Sequence, residues 1–475
     1  MPTPKFTVAI CGGGIAGLMT AIALARLSSR KDFRIDIYEA KQEFTEIGAG
    51  VAIRQRPWNI VKALGLETAL REFTEVPDNE DEPRLMFEMR KSDQAIGVHF
   101  YKTMAPMGNL SFHRAHLLNA LAVNLDADTT VSHFSKRLVS YEMADRPDAV
   151  KDSTITLFFK DGTFATCDVL IGCDGINSAV REKLLQSAAR DAQGRNDFEV
   201  AATLREHIKP VWSGSVAYRG IIAREVLAEV NPKHSAIFTP QNYMGKDKHI
   251  IVFPISKGRL INVVAFCSWP NNDGSVFDGK IVEECSQMEL LEQYRGWEDE
   301  VPQLLKCIQK PSRWAINDLK PMPVSVHNHV ALAGDAAHAM TPHLGIGAGQ
   351  GIEDAYILAT LLTHPLTTRK TIRDALKVYE SVRLPYANEI QRLSRINGKI
   401  YEFADPRFSN LRFDRELLTD GKMNEEDKTR LKEVGDASMT IREWTWARDI
   451  EEDRKQAVEM LAERLCKGGY VHSSG

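Results

Sequence analysis

The sequence predicts an α/β chain in which a Rossmann-like domain is interrupted by an inserted antiparallel β-sheet domain and followed by a C-terminal helical region. Three observations carry this reading. A buried-looking strand, Phe6 to Cys11 (FTVAIC), runs directly into Gly12-Gly13-Gly14 and then into apolar residues at helical spacing from Ile15 to Leu27. Two further short apolar runs, Val169 to Gly172 and Val330 to Ala333, each lead into a turn that carries an aspartate. Between them, Ala217 to Ile222, His249 to Pro254 and Arg259 to Ser268 are β-rich runs separated by turn residues, the texture of an antiparallel sheet.

Taken in order, the first strand and helix are followed by Phe33 to Tyr38 (FRIDIY), which closes on Glu39 and completes a βαβ unit. The nucleotide-binding domain is expected from residues 1–75, 108–185 and 320–400, and the β-rich domain from 76–107 and 186–319. Residues 401–475 form the helical region. In its last helix Ile450, Ala457, Val458, Leu461 and Leu465 share one face before Gly468 and Gly469, a stripe that suits packing on the body or a dimer contact, as do Trp444 and Trp446. Monomer and homodimer both stay open. Charged or small residues mark Pro77 to Pro83, Asp145 to Ser153 and Leu185 to Asp197 as the least ordered segments.

Composition narrows the function. The chain has 475 residues and a formal net charge of −4, so it offers no excess of positive charge to a nucleic acid. No window approaches the roughly 20 apolar residues of a membrane span, and the few residues before the first strand leave no room for a signal peptide. Seven scattered cysteines without a CxxC pair fit reduced thiols, so a cytoplasmic enzyme is expected. His113, His116 and His338 have no carboxylate or cysteine at ligand spacing, and no metal site is expected.

Gly12-x-Gly14-x-x-Gly17 has the form of a pyrophosphate-binding turn. Gly12 permits the turn, Gly14 lets the backbone approach phosphates, and Gly17 lets helix and strand close together. Glu39, 22 residues beyond Gly17, stands at the end of the second strand, placed to accept both hydroxyls of an unphosphorylated ribose, as in FAD or NAD.

Further motifs separate these two. Asp168-Val-Leu-Ile-Gly-Cys-Asp174-Gly175-Ile-Asn-Ser-Ala-Val-Arg181 resembles the DG motif of the single-component, class A, flavoprotein aromatic hydroxylases. Gly334-Asp335-Ala336-Ala337-His338, with Pro342 and Gly347-Ala348-Gly349-Gln350-Gly351-Ile352-Glu353-Asp354-Ala355, is similar to their GD motif and the helix after it, and His113-Arg114-Ala115-His116-Leu117-Leu118 to their HRxxLL segment. Gly48-Ala49-Gly50-Val51 and Ala217-Tyr218-Arg219-Gly220 resemble the salicylate hydroxylase branch, especially its fungal members.

The resemblance implies the FAD-binding fold of the hydroxybenzoate hydroxylases, with NADH or NADPH as a transient co-substrate and hydroxylation by O2 through a flavin C4a-hydroperoxide. It implies that Asp335 bonds the ribitol, that Arg114 meets FAD near the pyrophosphate, and that Asp174 and Arg181 support FAD and the nicotinamide path. Cofactor contacts are then expected from Gly12, Gly14, Ala16, Gly17, Glu39, Gly50, Arg114, Asp174, Asp335, Gly345, Gly347, Ala348 and Gly349. The helix opening near Gly347 would turn its N–H groups to the flavin. Asp174 and Asp335 as plain strand-end caps, and Arg181 as a surface charge, are the bland alternatives.

An electrophilic oxygen donor needs an electron-rich ring, so the substrate is expected to be a phenol held partly as phenolate and shielded from water. Candidate residues are His343 and Pro342 beside the flavin and Tyr218 with Arg219 on the sheet, with His249 as a weaker fourth. Packing or a salt bridge would explain each equally well. Phe253 stands where dearomatising relatives carry tyrosine, which argues against that chemistry, and Arg54-Gln55-Arg56 reads as a solvated loop, with arginines that draw in an acidic substrate or cofactor as the alternative. A phenolic acid of the salicylate or hydroxybenzoate type is the leading substrate, with or without loss of its carboxylate. Tailoring of a larger aromatic polyketide or alkaloid is the alternative, and a flavin oxidase, dehydrogenase or non-catalytic binding relative is the reading from another class. No GxSxG, HExxH or WxWxIP motif supports a hydrolase, a metalloprotease or a halogenase.

Overall fold

The computed structural model describes residues 4–28, 33–45, 50–143, 154–408, 417 and 422–467. Its centre is a six-stranded sheet in the order Val326–His327, Val330–Leu332, Val169–Gly172, Phe6–Cys11, Phe33–Tyr38, Thr130–His133. All neighbours are parallel except the first pair. Phe6–Cys11 is apolar and almost wholly buried because it lies between two partners and under helices on both faces. Val8 pairs with Val169 on one side and Ile35 on the other, so the chain leaves this strand at the point where connections diverge.

A second sheet, the floor sheet, has eight strands in the order Val282–Glu284, Ser312–Asp318, Val211–Ala223, Leu260–Ser268, Lys248–Ile255, Gln241–Gly245, Pro83–Lys91, Val98–Pro106. It is antiparallel throughout apart from the parallel junction of Gln241–Gly245 with Pro83–Lys91. Alternation gives it two unlike faces. Tyr218, Ile250, Val252, Ile261, Val263 and Ala265 pack against Leu290, Val301, Leu304 and Leu305 of two helices, whereas Ala217, Ile251, Val264 and Phe266 form clusters on the other side.

Three expectations change. Residues 185–197 are not poorly ordered: Ala179–Gly194 is a helix whose Leu184, Leu185, Ala189 and Ala192 are buried against Leu170 and Leu332 of the central sheet. Its polar and small exposed face masked the apolar one. With the helix Phe198–Glu206, which adds Ala201 and Leu204 to the same cluster, it carries the nucleotide-binding body beyond the boundary set at residue 185. Arg54 and Arg56 are buried rather than solvated. Residues 145–153 lie outside the described residues, and Pro77 to Pro83 holds no helix or strand before Pro83.

The terminal stripe packs within the chain. Ile450, Ala457, Leu461 and Leu465 join the same core as Ile357, Leu361, Ile372 and Leu376, while Val458 is only half-buried. Trp444 stacks on Tyr386 at 5.1 Å between centroids. No helix among the described residues is long and apolar enough to cross a membrane, and they hold no cluster of three metal-ligating side chains.

Beneath the glycine-rich helix Gly347–Thr363 lies a buried ion network. Asp354 accepts from Arg383 Nε at 2.8 Å, from His338 Nε2 at 2.5 Å and from the Gly334 N–H at 2.9 Å. Glu353 bonds Arg383 Nη1 at 2.8 Å and Arg56 Nη2 at 2.9 Å, and Arg56 reaches Asp453 at 2.8 Å. Burial alone would raise the Asp354 carboxyl, but His338 and Arg383 outweigh it and hold it at about 2. Replacing the central cation strands two carboxylates out of water, a loss of about 3–5 kcal/mol. Arg383→Met is therefore expected to lower the melting temperature of the cofactor-loaded protein sharply, read by thermal denaturation, and Arg383→Lys to recover only part of it.

Candidate active site

The central strand ends at a turn that only glycine fits. Gly12 has φ +105°, and a Cβ there would lie 2.3 Å from the Cys173 carbonyl oxygen. At Gly17 a Cβ would lie 2.0 Å from the Gly12 carbonyl oxygen. Ala16 sits against Gly334 and Gly351, where a Cβ on either would approach its methyl to 2.9 Å. Helix Ile15–Leu27 opens at Gly14 with no side-chain cap and no acid in its first turn, leaving its amides and positive dipole end for an anion. Glu39 stands over this turn and accepts the Gly13 and Lys41 N–H groups, each at 2.8 Å.

Further elements converge from the other side. Arg114 opens the helix Arg114–Ala122 and Asp335 the short helix Asp335–His338. Burial lowers the Arg114 guanidinium while Asp335 opposes the shift, and Asp335 itself is exposed. Gly345, at φ +68°, ends the turn Pro342–Leu344, and Gly347, Ala348 and Gly349 begin the next helix, again without a side-chain cap or a first-turn acid. Gly50 donates its N–H to Asn262 Oδ1 at 3.0 Å, and a Cβ on it would lie 2.8 Å from the Phe253 ring. Thus the nucleotide-binding body meets the floor sheet at a residue without a side chain. Two uncapped helix N-termini, a close glycine turn and a carboxylate at the second strand's end fit the phosphates, flavin and ribose of FAD.

Asp174 has a structural role of its own. Its carboxylate accepts from Ser178 Oγ at 2.5 Å and from the Ala179 and Val180 N–H groups at 2.7 and 3.2 Å, so it caps the following helix. Burial is the main force on it and raises its carboxyl. Arg181 is no surface charge: it is 1% exposed and donates to the carbonyls of Ile176, Ile208 and Ala336.

On the substrate side, Tyr218 leaves the candidate set. It lies on the helix-covered face of the floor sheet and bonds Glu289 at 3.0 Å, because the two-residue period turns it away from its neighbour Arg219. Arg219 projects to the opposite face, over Trp314 at 4.7 Å. Burial, with Arg114 adding to it, pulls the guanidinium down to about 10. Pro342 is half-buried, and His343 after it packs against Phe266 at 5.1 Å and His249 at 5.2 Å. His343 Nδ1 and His249 Nε2 are buried without a hydrogen-bond partner. Desolvation takes both imidazoles down to about 3, so both are neutral near pH 7. His249 Nδ1 lies 3.0 Å from Glu402 Oε1, which also accepts from Ser268 Oγ at 2.8 Å.

The comparisons bear on this geometry. The family model described as an FAD binding domain matches residues 5–394. The chain belongs to this FAD-binding family. It is 35% identical to a salicylate hydroxylase of Pseudomonas putida over 99% of its length and 96% of the relative's. Against the 6-methylsalicylate 1-monooxygenase of Aspergillus terreus the identity is 32%, covering 98% of this chain and 94% of that one. A solved salicylate hydroxylase substrate complex superposes with a TM-score of 0.76 at 30% identity, covering 96% of this chain and 98% of its own. This family member is an FAD-dependent aromatic hydroxylase of the salicylate hydroxylase-like branch.

Glu402, Asn262 and Trp314 were not legible as neighbours of the site. They come from distant segments, and no local motif links them to the glycine turns. Asp335 is exposed and interacts electrostatically with Arg114, which is compatible with the ribitol contact expected of it. Asp335→Ala is therefore expected to purify folded but largely colourless, read from the ratio of visible to 280 nm absorbance; a fully yellow, active protein would refute the assignment.

Proposed function

We propose that this hydroxylase acts on a phenolic aromatic acid of the salicylate or hydroxybenzoate type. The observation that carries the proposal is the pair of buried, neutral imidazoles, His249 and His343, each with an unpartnered ring nitrogen beside the Phe266 ring. FAD, once reduced by NAD(P)H, supplies the activation of O2. The residues of the chain supply the rest. Phe266, Ile251 and Val264 give an apolar surface to one face of an aromatic ring and keep water from it. A neutral imidazole nitrogen accepts the phenol O–H, which raises electron density on the ring and favours attack at the position next to the oxygen. When that position bears a carboxylate, hydroxylation there expels carbon dioxide; the names of the two relatives support such a substrate.

The acceptor nitrogen of His249 is set by Glu402. With Nδ1–H donated to a Glu402 carboxylate, Nε2 carries the lone pair and can take a proton. Burial pushes the Glu402 carboxyl up to about 7, against the pull of His343 and Ser268, with Asp247 and Lys246 also nearby. Its carboxylate therefore forms as pH rises through about 7. Activity follows the same direction, whereas the raised carboxyl stabilises the fold at low pH and loses that contribution as it ionises. In wild type, kcat/KM is expected to rise through about pH 7, and in Glu402→Gln this limb is expected to flatten, measured as a pH profile of substrate-dependent NAD(P)H oxidation.

His343→Ala is expected to keep its FAD and its reduction by NAD(P)H while hydroxylated product falls by roughly 100-fold or more. Stopped-flow flavin reduction and product mass check the two halves separately. Oxygen uptake, NAD(P)H oxidation, product mass and released carbon dioxide across a panel of hydroxybenzoates test the substrate class. Unchanged responses to every phenolic acid, with turnover of a larger phenol, would overturn the proposal.

A further inference from the structure

Two arginines close on the turn Pro342–Leu344 from opposite ends of the sequence. Arg54 follows the strand Gly50–Ile53 and donates from Nη2 to the Leu344 carbonyl at 2.6 Å. Arg442, in the last turns of the helix Glu425–Trp444, donates from Nη2 to the His343 carbonyl at 3.3 Å and to the Tyr401 hydroxyl. Both are buried, at 7% and 1% exposure, and neither forms an ion pair among the described residues. Arg54 Nε and Arg442 Nε and Nη1 have no hydrogen-bond partner. Aromatic rings flank both: Trp446 lies 5.8 Å from the Arg54 guanidinium carbon, and Phe87 5.9 Å from that of Arg442. Arg54 and Trp446 also line a pocket that reaches Gly349 in the first turn of the glycine-rich helix.

Such an arrangement is costly unless something completes it. A buried cation with unsatisfied donors loses its hydration without return, and a second like charge around the same turn adds repulsion. Burial and Arg442 both push the Arg54 guanidinium well down. Arg56, two residues on, shows the alternative: it is as buried but neutralised by Glu353 and Asp453. The missing partner is therefore an anion with two acceptor atoms in one plane, the geometry that matches a guanidinium fork.

We propose that Arg54 and Arg442 form the subsite for the carboxylate of the aromatic substrate. Arg54 comes from the nucleotide-binding body and Arg442 from the C-terminal helical region, and the substrate bridges them across the turn that carries His343. This assignment rests on the phenolic-acid reading, and it makes the pair a specificity device that selects acids over neutral phenols. Arg219 is a separate cation, standing over Trp314 and interacting electrostatically with Arg114.

The test uses the FAD-loaded protein and two ring probes, benzoate and benzamide, titrated against the flavin absorbance. Wild type is expected to bind benzoate at least tenfold more tightly. Arg442→Gln and Arg54→Gln are each expected to raise the benzoate Kd by roughly 10- to 100-fold and to leave benzamide within about threefold, with Arg442→Lys between. Removing an unpaired buried charge should leave the melting temperature of Arg442→Met unchanged or raised, whereas a purely structural arginine would lower it. Equal binding of benzoate and benzamide by wild type, or equal loss of both in the variants, overturns the subsite. Benzoate lacks the phenol, so charge-selective binding without turnover of any phenolic acid upholds the subsite and sinks the phenolic-acid reading. Phenol turnover without acid selectivity does the reverse.

Discussion

The buried ion network around Arg383 is the constraint on which the site depends. The glycine-rich helix Gly347–Thr363 must present an uncapped N-terminus while its own Glu353 and Asp354 lie in the interior. Two adjacent carboxylates are accommodated there because Arg383 binds both, Arg56 shares Glu353, and Asp453 completes Arg56. One bond of this set, from Asp354 to the Gly334 N–H, also fixes the turn from which Asp335 projects. The position of the flavin-facing helix and the position of the acid proposed for the ribitol are thus two outputs of one electrostatic arrangement. Buried pairs of this kind add little net stability over apolar packing, but they fix geometry where every member is satisfied.

Around that frame the molecule separates rigid from incomplete parts. Charges in the network are paired and the glycine contacts leave no room for a side chain. By contrast, the polar atoms beside the Pro342–Leu344 turn are buried and unpaired: His343 Nδ1, His249 Nε2, Arg54 Nε and Arg442 Nη1. Native interiors seldom tolerate such groups, and several of them around one turn mark where the fold gives up stability for binding.

Much of the nucleotide-binding half was legible because its signals are local. The strands Phe6–Cys11 and Phe33–Tyr38 and the helix Ile15–Leu27 follow from continuous apolar runs, glycine punctuation and helical periodicity within a few residues of each other. The floor sheet was legible as a sheet but not as a face. Whether Tyr218 or Arg219 points to the site depends on which side the helices cover, which a two-residue alternation does not state. The buried arginines failed for a similar reason. Arg54, Gln55 and Arg56 look solvated until Glu353, Asp453 and the Leu344 carbonyl arrive from hundreds of residues away. Leu185 to Gly194 misled in the other direction, since its charges cover the exposed side of a helix whose apolar side is fully buried.

The last helix has a consequence for how the chain is made. Leu461 and Leu465 sit in the same core as Leu18, Ile22 and Ile37 near the beginning of the sequence. During synthesis the first βαβ unit emerges early, but the helix Gly347–Thr363 that packs on Ile15–Leu27 follows hundreds of residues later, and the last helix packs in turn on Gly347–Thr363. The nucleotide-binding core therefore closes only after the inserted floor sheet has been made, and until then the first unit carries an uncovered apolar face.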